Sequence, residues 1–367
     1  MFQDNPWTGL LFIIGIFAGS YIEGMPVVAW GALAGLVTST LAGMFFRFPP
    51  VAAVAAVAAA ALIGVAGFKV KKSTRPGIVP LTGVLGAFVF AAQMVNFSIP
   101  GTGSSGHIIG GVLLAAFLGP WAAFLALSSV LIIQCLLFAD GGLLALGCNI
   151  VNMAAMSCLV AYPLVFRPLI GRGASTLRLM CASVLACTVA LELGACLVAV
   201  ETKLSGVTAL STGSFLLLMT GIHLLIGIGE GLATGAVLGF VRKVKPSLLE
   251  PEDRGVSRRV PLGAVVAFAL AAAAIGGGLS MAASSDPDGL EWSVEKVAGS
   301  SDIPSAGVVA DAARRIQSGT AAMPDYDNTF SGIIGAALVM LTLWGFCALL
   351  TRRRAVAAHV PDEHVKE

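Results

Sequence analysis

Apolar residues fall in long blocks along this chain, at about 8–22, 25–46, 50–69, 78–97, 120–138, 143–166, 177–200, 212–241, 260–283 and 331–351, with short polar or charged stretches between most of them. A helix needs about 20 apolar residues to cross the ~30 Å hydrocarbon core of a bilayer. The pattern therefore predicts an all-α fold, a polytopic integral membrane bundle of about 10–11 spans. A shorter block, 107–118, is cut off from 120–138 by Gly119-Pro120. It is either a separate short helix or the first half of a broken one, and its freed backbone groups must be covered by protein or water.

Composition narrows the class. Of 367 residues, 57% are hydrophobic and 11% charged, less than half the roughly 25% charged residues of a soluble domain. A water-exposed globule and a disordered chain are both excluded, because so much apolar surface must be buried. The 44 glycines suit helices that approach closely through small residues. The net charge of +2 gives no reason to expect nucleic acid.

Basic residues instead form four clusters: Lys69 to Arg75, Arg167 to Arg178, Arg242 to Arg259, and Arg352 to Arg354. All four lie in the cytoplasm if 107–118 crosses as a short span. The segments 98–107, 139–149, 201–211 and 284–330 then face outward, and the expected location is a cell membrane crossed many times. Seven cysteines lie in or at the ends of apolar blocks without a Cys-x-x-Cys pair, so no disulfide frame or thiolate metal site is expected.

Polar residues inside spans are costly and draw attention to function. His107 ends the flexible loop Ser98-Ile-Pro-Gly-Thr-Gly-Ser-Ser-Gly-His107, and Asp140, Asn149 and Asn152 belong to the same outward face in this topology. Imidazole, amides and a carboxylate together would suit a small polar solute, while the amides would equally serve as helix caps. Gln93, Gln134, Glu192, His223 and Glu230 are further intramembrane polar groups, expected to bond between helices. His223 and Glu230 are seven residues apart, so they share a helix face about 10 Å apart and do not pair. The chain holds no Gly-x-x-x-x-Gly-Lys-[Ser/Thr] and no His-Glu-x-x-His. Neither P-loop nucleotide hydrolysis nor zinc-peptidase chemistry is therefore expected of this chain.

Several ordered segments resemble one family. They are Val79 to Phe97 with Gln93 and Asn96, Ser105-Gly-His107, Gly119-Pro120-Trp121, Gln134 to Gly142, Gly147-Cys-Asn149, Asn152-Met153, Ala190-Leu-Glu192-Leu, and His223 to Gly231. Together they resemble the CbiM/NikM family, the substrate-capturing membrane subunits of cobalt and nickel energy-coupling-factor transporters, over about 49–245. Beyond it, Ser285-Asp-Pro287-Asp288-Gly289-Leu290-Glu291-Trp looks like the signature of the PDGLE domain. The resemblance implies a transport component, not an enzyme, with its core at 49–245. Around that core the apolar and charge pattern gives an extra hairpin at 1–48, preferred to a cleaved leader, a charged linker at 246–259, a two-span module at 260–354 with its loop at 284–330, and a tail at 355–367.

The resemblance further implies capture of Co²⁺ or Ni²⁺ as cargo, with no permanently bound cofactor. The partners would be membrane lipid, a second transmembrane coupling subunit and cytoplasmic ATPases, consistent with the missing P-loop. His107 matches the family's loop histidine, a metal ligand. The family's other ligands come from an N-terminal Met-His segment, but residue 2 here is Phe and no histidine precedes His107. Either the metal is held differently, or the cargo differs, or the protein starts elsewhere. A non-transporting sensor or assembly protein is the alternative from another class.

Overall fold

The computed structural model describes residues 50–73, 79–171, 173–206, 211–249, 260–300, 308–326 and 330–357. The expected hairpin at 1–48, most of the linker and the end of the tail lie outside the described residues. Contacts divide the chain into two units, Met1–Val54 and Ala55–Glu367, and every candidate site residue falls in the second.

The architecture is helical, as the apolar blocks dictate. α1 spans Pro50–Ser73, α2 Val79–Gln93, α3 Gly111–Leu118 and α4 Pro120–Leu137. α5 covers Leu146–Ile170. α6 spans Thr176–Leu204, α7 Thr212–Val244, α8 Leu262–Gly277, α9 Gly289–Ala298, α10 Val308–Thr320 and α11 Ser331–Ala357. Among the described residues six helices are long and apolar enough to cross a membrane, and Pro80–Gln93 and Ser331–Phe346 are shorter apolar helices. The protein is a multi-pass cell-membrane protein.

Three features of the bundle follow from small residues. On α7, Gly227, Gly231 and Gly235 recur every four positions, and a Cβ at each would meet Thr188, Val184 and Met180 of α6. The two series run in opposite senses, so α6 and α7 are antiparallel and touch along a glycine stripe, which gains dispersion contact that lipid cannot supply. α2 is buried from Leu81 to Gln93. Gly83 and Gly86 admit Met340, Val339 and Leu343 of α11 against it, and Gly335 makes room for Phe90. α8 reaches the same centre through Phe268, whose ring meets Phe88 and Phe117 edge-on at 5.6 Å.

The block 107–118 becomes a separate short helix. Gly119 breaks the chain at φ +78°, and α3 has eight residues, about 12 Å at 1.5 Å each. That is shorter than an ordinary span, yet the segment takes the chain from Ile109, bonded to Gln93 at the end of α2, to Trp121, 6.0 Å from Lys69 at the end of α1. In α5, Ile150–Phe166 is wound more widely than an α-helix, with the Arg167 N–H reaching the Tyr162 carbonyl five residues back. Such winding is rare over this length.

The block 78–97 does not stay helical to its end. α2 stops at Gln93, and Phe97–Ile99 (β1) pairs antiparallel with Ser104–Gly106 (β2), Phe97 opposite Gly106. The turn is set by Pro100-Gly101: the Thr102 N–H donates to the Ile99 carbonyl at 3.2 Å, and Gly101 has φ +78°. Proline first and a positive-φ glycine second is the type II arrangement. The segment expected to be a flexible loop is thus a hairpin leading straight into His107.

Candidate functional site

The backbone at Ile109 and Gly110, just beyond His107, is fixed from two sides. Both oxygens of Glu230 on α7 accept backbone N–H groups, from Ile109 at 2.8 Å and Gly110 at 2.9 Å. Gly110, with φ +76°, is the residue from which α3 then starts. From the other side Gln93 on α2 donates to the Ile109 carbonyl at 2.8 Å, and Gln134 on α4 donates to the Gln93 oxygen at 2.9 Å. Gln93, Gln134 and Glu230 are all buried. Three helices therefore converge, directly or through Gln93, on the backbone of Ile109 and Gly110, two and three residues beyond the loop histidine.

His107 itself is half-buried, and its Nδ1 lies 3.2 Å from the Ile108 carbonyl oxygen. A carbonyl can only accept, so this contact favours the tautomer with Nδ1–H and leaves Nε2 as a lone-pair donor. Imidazoles that bind metals are commonly oriented in this way. His223 has the same arrangement, with Nδ1 at 2.7 Å from the Met219 carbonyl one turn back on its own helix. This bond of His223 is made within its own helix, where one between helices was expected. His107 and Asp288 both act on His223 electrostatically, so the three occupy one neighbourhood.

The PDGLE segment closes over the hairpin. The Ser105 N–H donates to the Pro287 carbonyl at 2.8 Å, and the Ser105 hydroxyl to the Asp286 carbonyl at 2.8 Å. The Trp292 indole donates to the Thr102 carbonyl at 3.1 Å, and the Ser284 N–H to Asn96 at 2.8 Å. Asp288 is the N-cap of α9, its Oδ1 accepting from Leu290 and Glu291 at 2.8 and 2.9 Å, while Glu291 reaches back to the Asp288 N–H at 3.4 Å. The signature is thus a capping box. Burial, and next the Asp288 carboxylate, push the Glu291 carboxyl above its ordinary value. Gly289 lets this helix start seat on α7, since a Cβ there would lie 3.1–3.2 Å from Ile222, His223 and Ile226.

The remaining expected residues are drawn elsewhere. Asp140 accepts the Tyr326 hydroxyl at 2.6 Å, and burial followed by that carboxylate raises the Tyr326 phenol above its usual range. Asn152 donates to Glu201 at 2.7 Å, and the Asn149 amide lies against Gly141. The hydrogen bonds of Asp140 and Asn152 thus go to other partners than His107, because a phenol and a carboxylate lie within direct reach of them. Glu192, expected to bond between helices, keeps a buried Oε1 without a hydrogen-bond partner, as does Asn152 Oδ1. Among the described residues no three His, Cys, Asp or Glu side chains group as a metal site.

Ser105 and Trp292 stood in the segments that carry the resemblance but were given no role, and Ser104 and Tyr326 were not singled out. The Pro-Gly turn and the Asp-x-x-Glu box were signals for the first three. Nothing local announces the bond from Tyr326 to Asp140.

Comparison with known proteins adds to this geometry. Residues 41–248 match the family model described as the cobalt uptake substrate-specific transmembrane region, CbiM, and residues 263–352 match the PDGLE domain. A relative from Archaeoglobus fulgidus, named as a fused nickel transport protein NikMN, is 35% identical over 51% of this chain and 61% of its own length. One from Haloquadratum walsbyi, named as a metal transport protein, is 35% identical over 56% of this chain and 90% of its own. The fused nickel transport protein NikMN of Rhodobacter capsulatus is 29% identical over 75% of this chain and 88% of its own. The match to the first of these spans under two thirds of that relative.

Proposed function

The chain belongs to the CbiM family of cobalt-uptake substrate-specific transmembrane regions, and on that premise we propose that it is the cargo-binding membrane component of an importer for Co²⁺ or Ni²⁺. The observation that carries this reading is the His107 imidazole with Nδ1 turned to the Ile108 carbonyl and Nε2 left to donate. Its backbone is held between Glu230 and Gln93. Imidazole nitrogen suits Ni²⁺ and Co²⁺, and geometry rather than raw affinity selects between them. His107 serves as ligand, and the PDGLE segment, bonded to the hairpin at Ser105, covers it. The chain has no P-loop, so the energy comes from partner ATPases acting through a coupling subunit.

A second reading keeps the architecture and changes the cargo. It is favoured because, among the described residues, no three His, Cys, Asp or Glu side chains group as a metal site. Uptake of radiolabelled nickel or cobalt by cells producing the chain with its partner subunits tests the first. Uptake is expected in the wild type and lost in His107→Ala. Uptake unchanged by that substitution removes the role of His107. A wild type that accumulates neither metal favours the second reading.

A further inference from the structure

We infer that Glu230 is a positioning residue for cargo capture, setting the direction of the His107 imidazole through the peptide of Ile109 and Gly110. The inference rests on the reading of His107 as the cargo ligand and deepens it. Both carboxylate oxygens are occupied by two consecutive N–H donors, at 2.8 and 2.9 Å. The residue is 1% exposed, so water does not substitute for either bond. The opposite edge of the same peptide is held by Gln93, itself held by Gln134. Ile109 therefore has both its N–H and its carbonyl committed to spans on opposite sides, and the loop cannot rotate without breaking a buried hydrogen bond.

α7 is the element that sets this geometry. Along one face, Ile222, His223 and Ile226 meet Gly289 of the PDGLE segment, Ile226 also meets Gly106, and Glu230 holds residues 109–110. The spacing of four from Ile222 to Ile226 and from Ile226 to Glu230 places all three contacts on one stripe. A displacement of α7 would therefore move the covering segment, the hairpin and the peptide behind His107 together.

The chemistry of substitution separates positioning from simple packing. Glu230→Gln keeps size but replaces one acceptor with an NH₂ that faces a peptide N–H. Glu230→Asp keeps both acceptors on an arm shorter by one methylene. Gln93→Leu releases the Ile109 carbonyl, and Gln134→Leu acts on that carbonyl through Gln93. The loss of cobalt affinity should therefore fall in the order Glu230→Gln, Gln93→Leu, Gln134→Leu, with Glu230→Asp recovering part of the first. Partners that orient a metal-binding histidine are worth about 10- to 100-fold in affinity. Glu230 acts one peptide further back, and about tenfold is expected.

The test is Co²⁺ titration of the purified full chain in detergent, read by visible absorption, with thermal unfolding in parallel. Glu230→Gln should weaken binding about tenfold and change the cobalt absorption bands, which report the ligand geometry and which mere packing would leave alone. Wild-type affinity and bands in folded Glu230→Gln overturn the inference. Should Glu230→Gln not fold, Gln93→Leu decides by the same two readings. His107→Ala is titrated beside them. If it binds cobalt as the wild type does, the ligand reading fails and takes this inference with it. If it loses binding while Glu230→Gln does not, the inference alone fails.

Discussion

Gly110 combines φ +76° with a site where a Cβ would lie 2.7 Å from Val89. A side chain there would face both a left-handed backbone cost of about 1–2 kcal/mol and a collision with α2. The backbone behind His107 is therefore specified by an absent side chain as much as by the Glu230 carboxylate. Glu291, outside the spans, carries a pH effect. Burial, then Asp288, holds its carboxyl above the ordinary value of 4.5, so the folded state binds the proton more tightly than the unfolded state. Stability from this group is present at low pH and is lost as pH rises through the raised value. Hydrogen exchange across α9 should accordingly show protection falling as pH climbs through the weakly acidic range. Glu291→Gln, which keeps an oxygen for the Asp288 N–H, should flatten that dependence. A wild-type profile in the variant would show that the effect comes from elsewhere.

The glycine stripe of α7 operates at the level of elements. A Cβ at Gly231 would press on the Val184 backbone of α6, whereas nothing lies within 4 Å of one at Gly239. Gly231→Leu should therefore force the helices apart at a cost of about 1–3 kcal/mol, and Gly239→Ala should be neutral or slightly stabilising, since alanine favours the helix by about 0.5–1 kcal/mol. Thermal unfolding in detergent checks both, and equal midpoints for the two variants would remove the stripe as a determinant.

Helices of this kind were legible from the blocks of apolar residues, because length and hydropathy together leave little choice in lipid. The hairpin at 97–106 was not, since its two three-residue strands lie inside what reads as a glycine-rich loop, although Pro100-Gly101 marked the turn. At the site, the importance of Gln93, Gln134 and Glu230 could be read from their cost inside a span. Their common target, a backbone peptide, could not, because the acceptor and donors of Ile109 carry no side-chain signature. The separation of Asp140 and Asn152 from His107 in hydrogen bonding was equally hidden, because Tyr326 lies 186 residues from Asp140 in sequence.

At the scale of the molecule, the PDGLE domain is built into the bundle. α8 and α11 pack on α2, the segment from Ser284 to Trp292 bonds to the hairpin, and Tyr326 reaches Asp140. The backbone of Gly276 in α8 meets that of Gly332 in α11 closely enough that neither position accepts a side chain. The described parts of both family matches from Ala55 onward thus fall on one compact unit, and the loop histidine lies where core and PDGLE segment meet. Under the proposed function this imidazole binds the transported cation. X-ray absorption of the cobalt-loaded full chain measures that most directly. Imidazole scattering around the metal is expected, diminished in His107→Ala; a spectrum without imidazole, or one unchanged by the substitution, rules that role out.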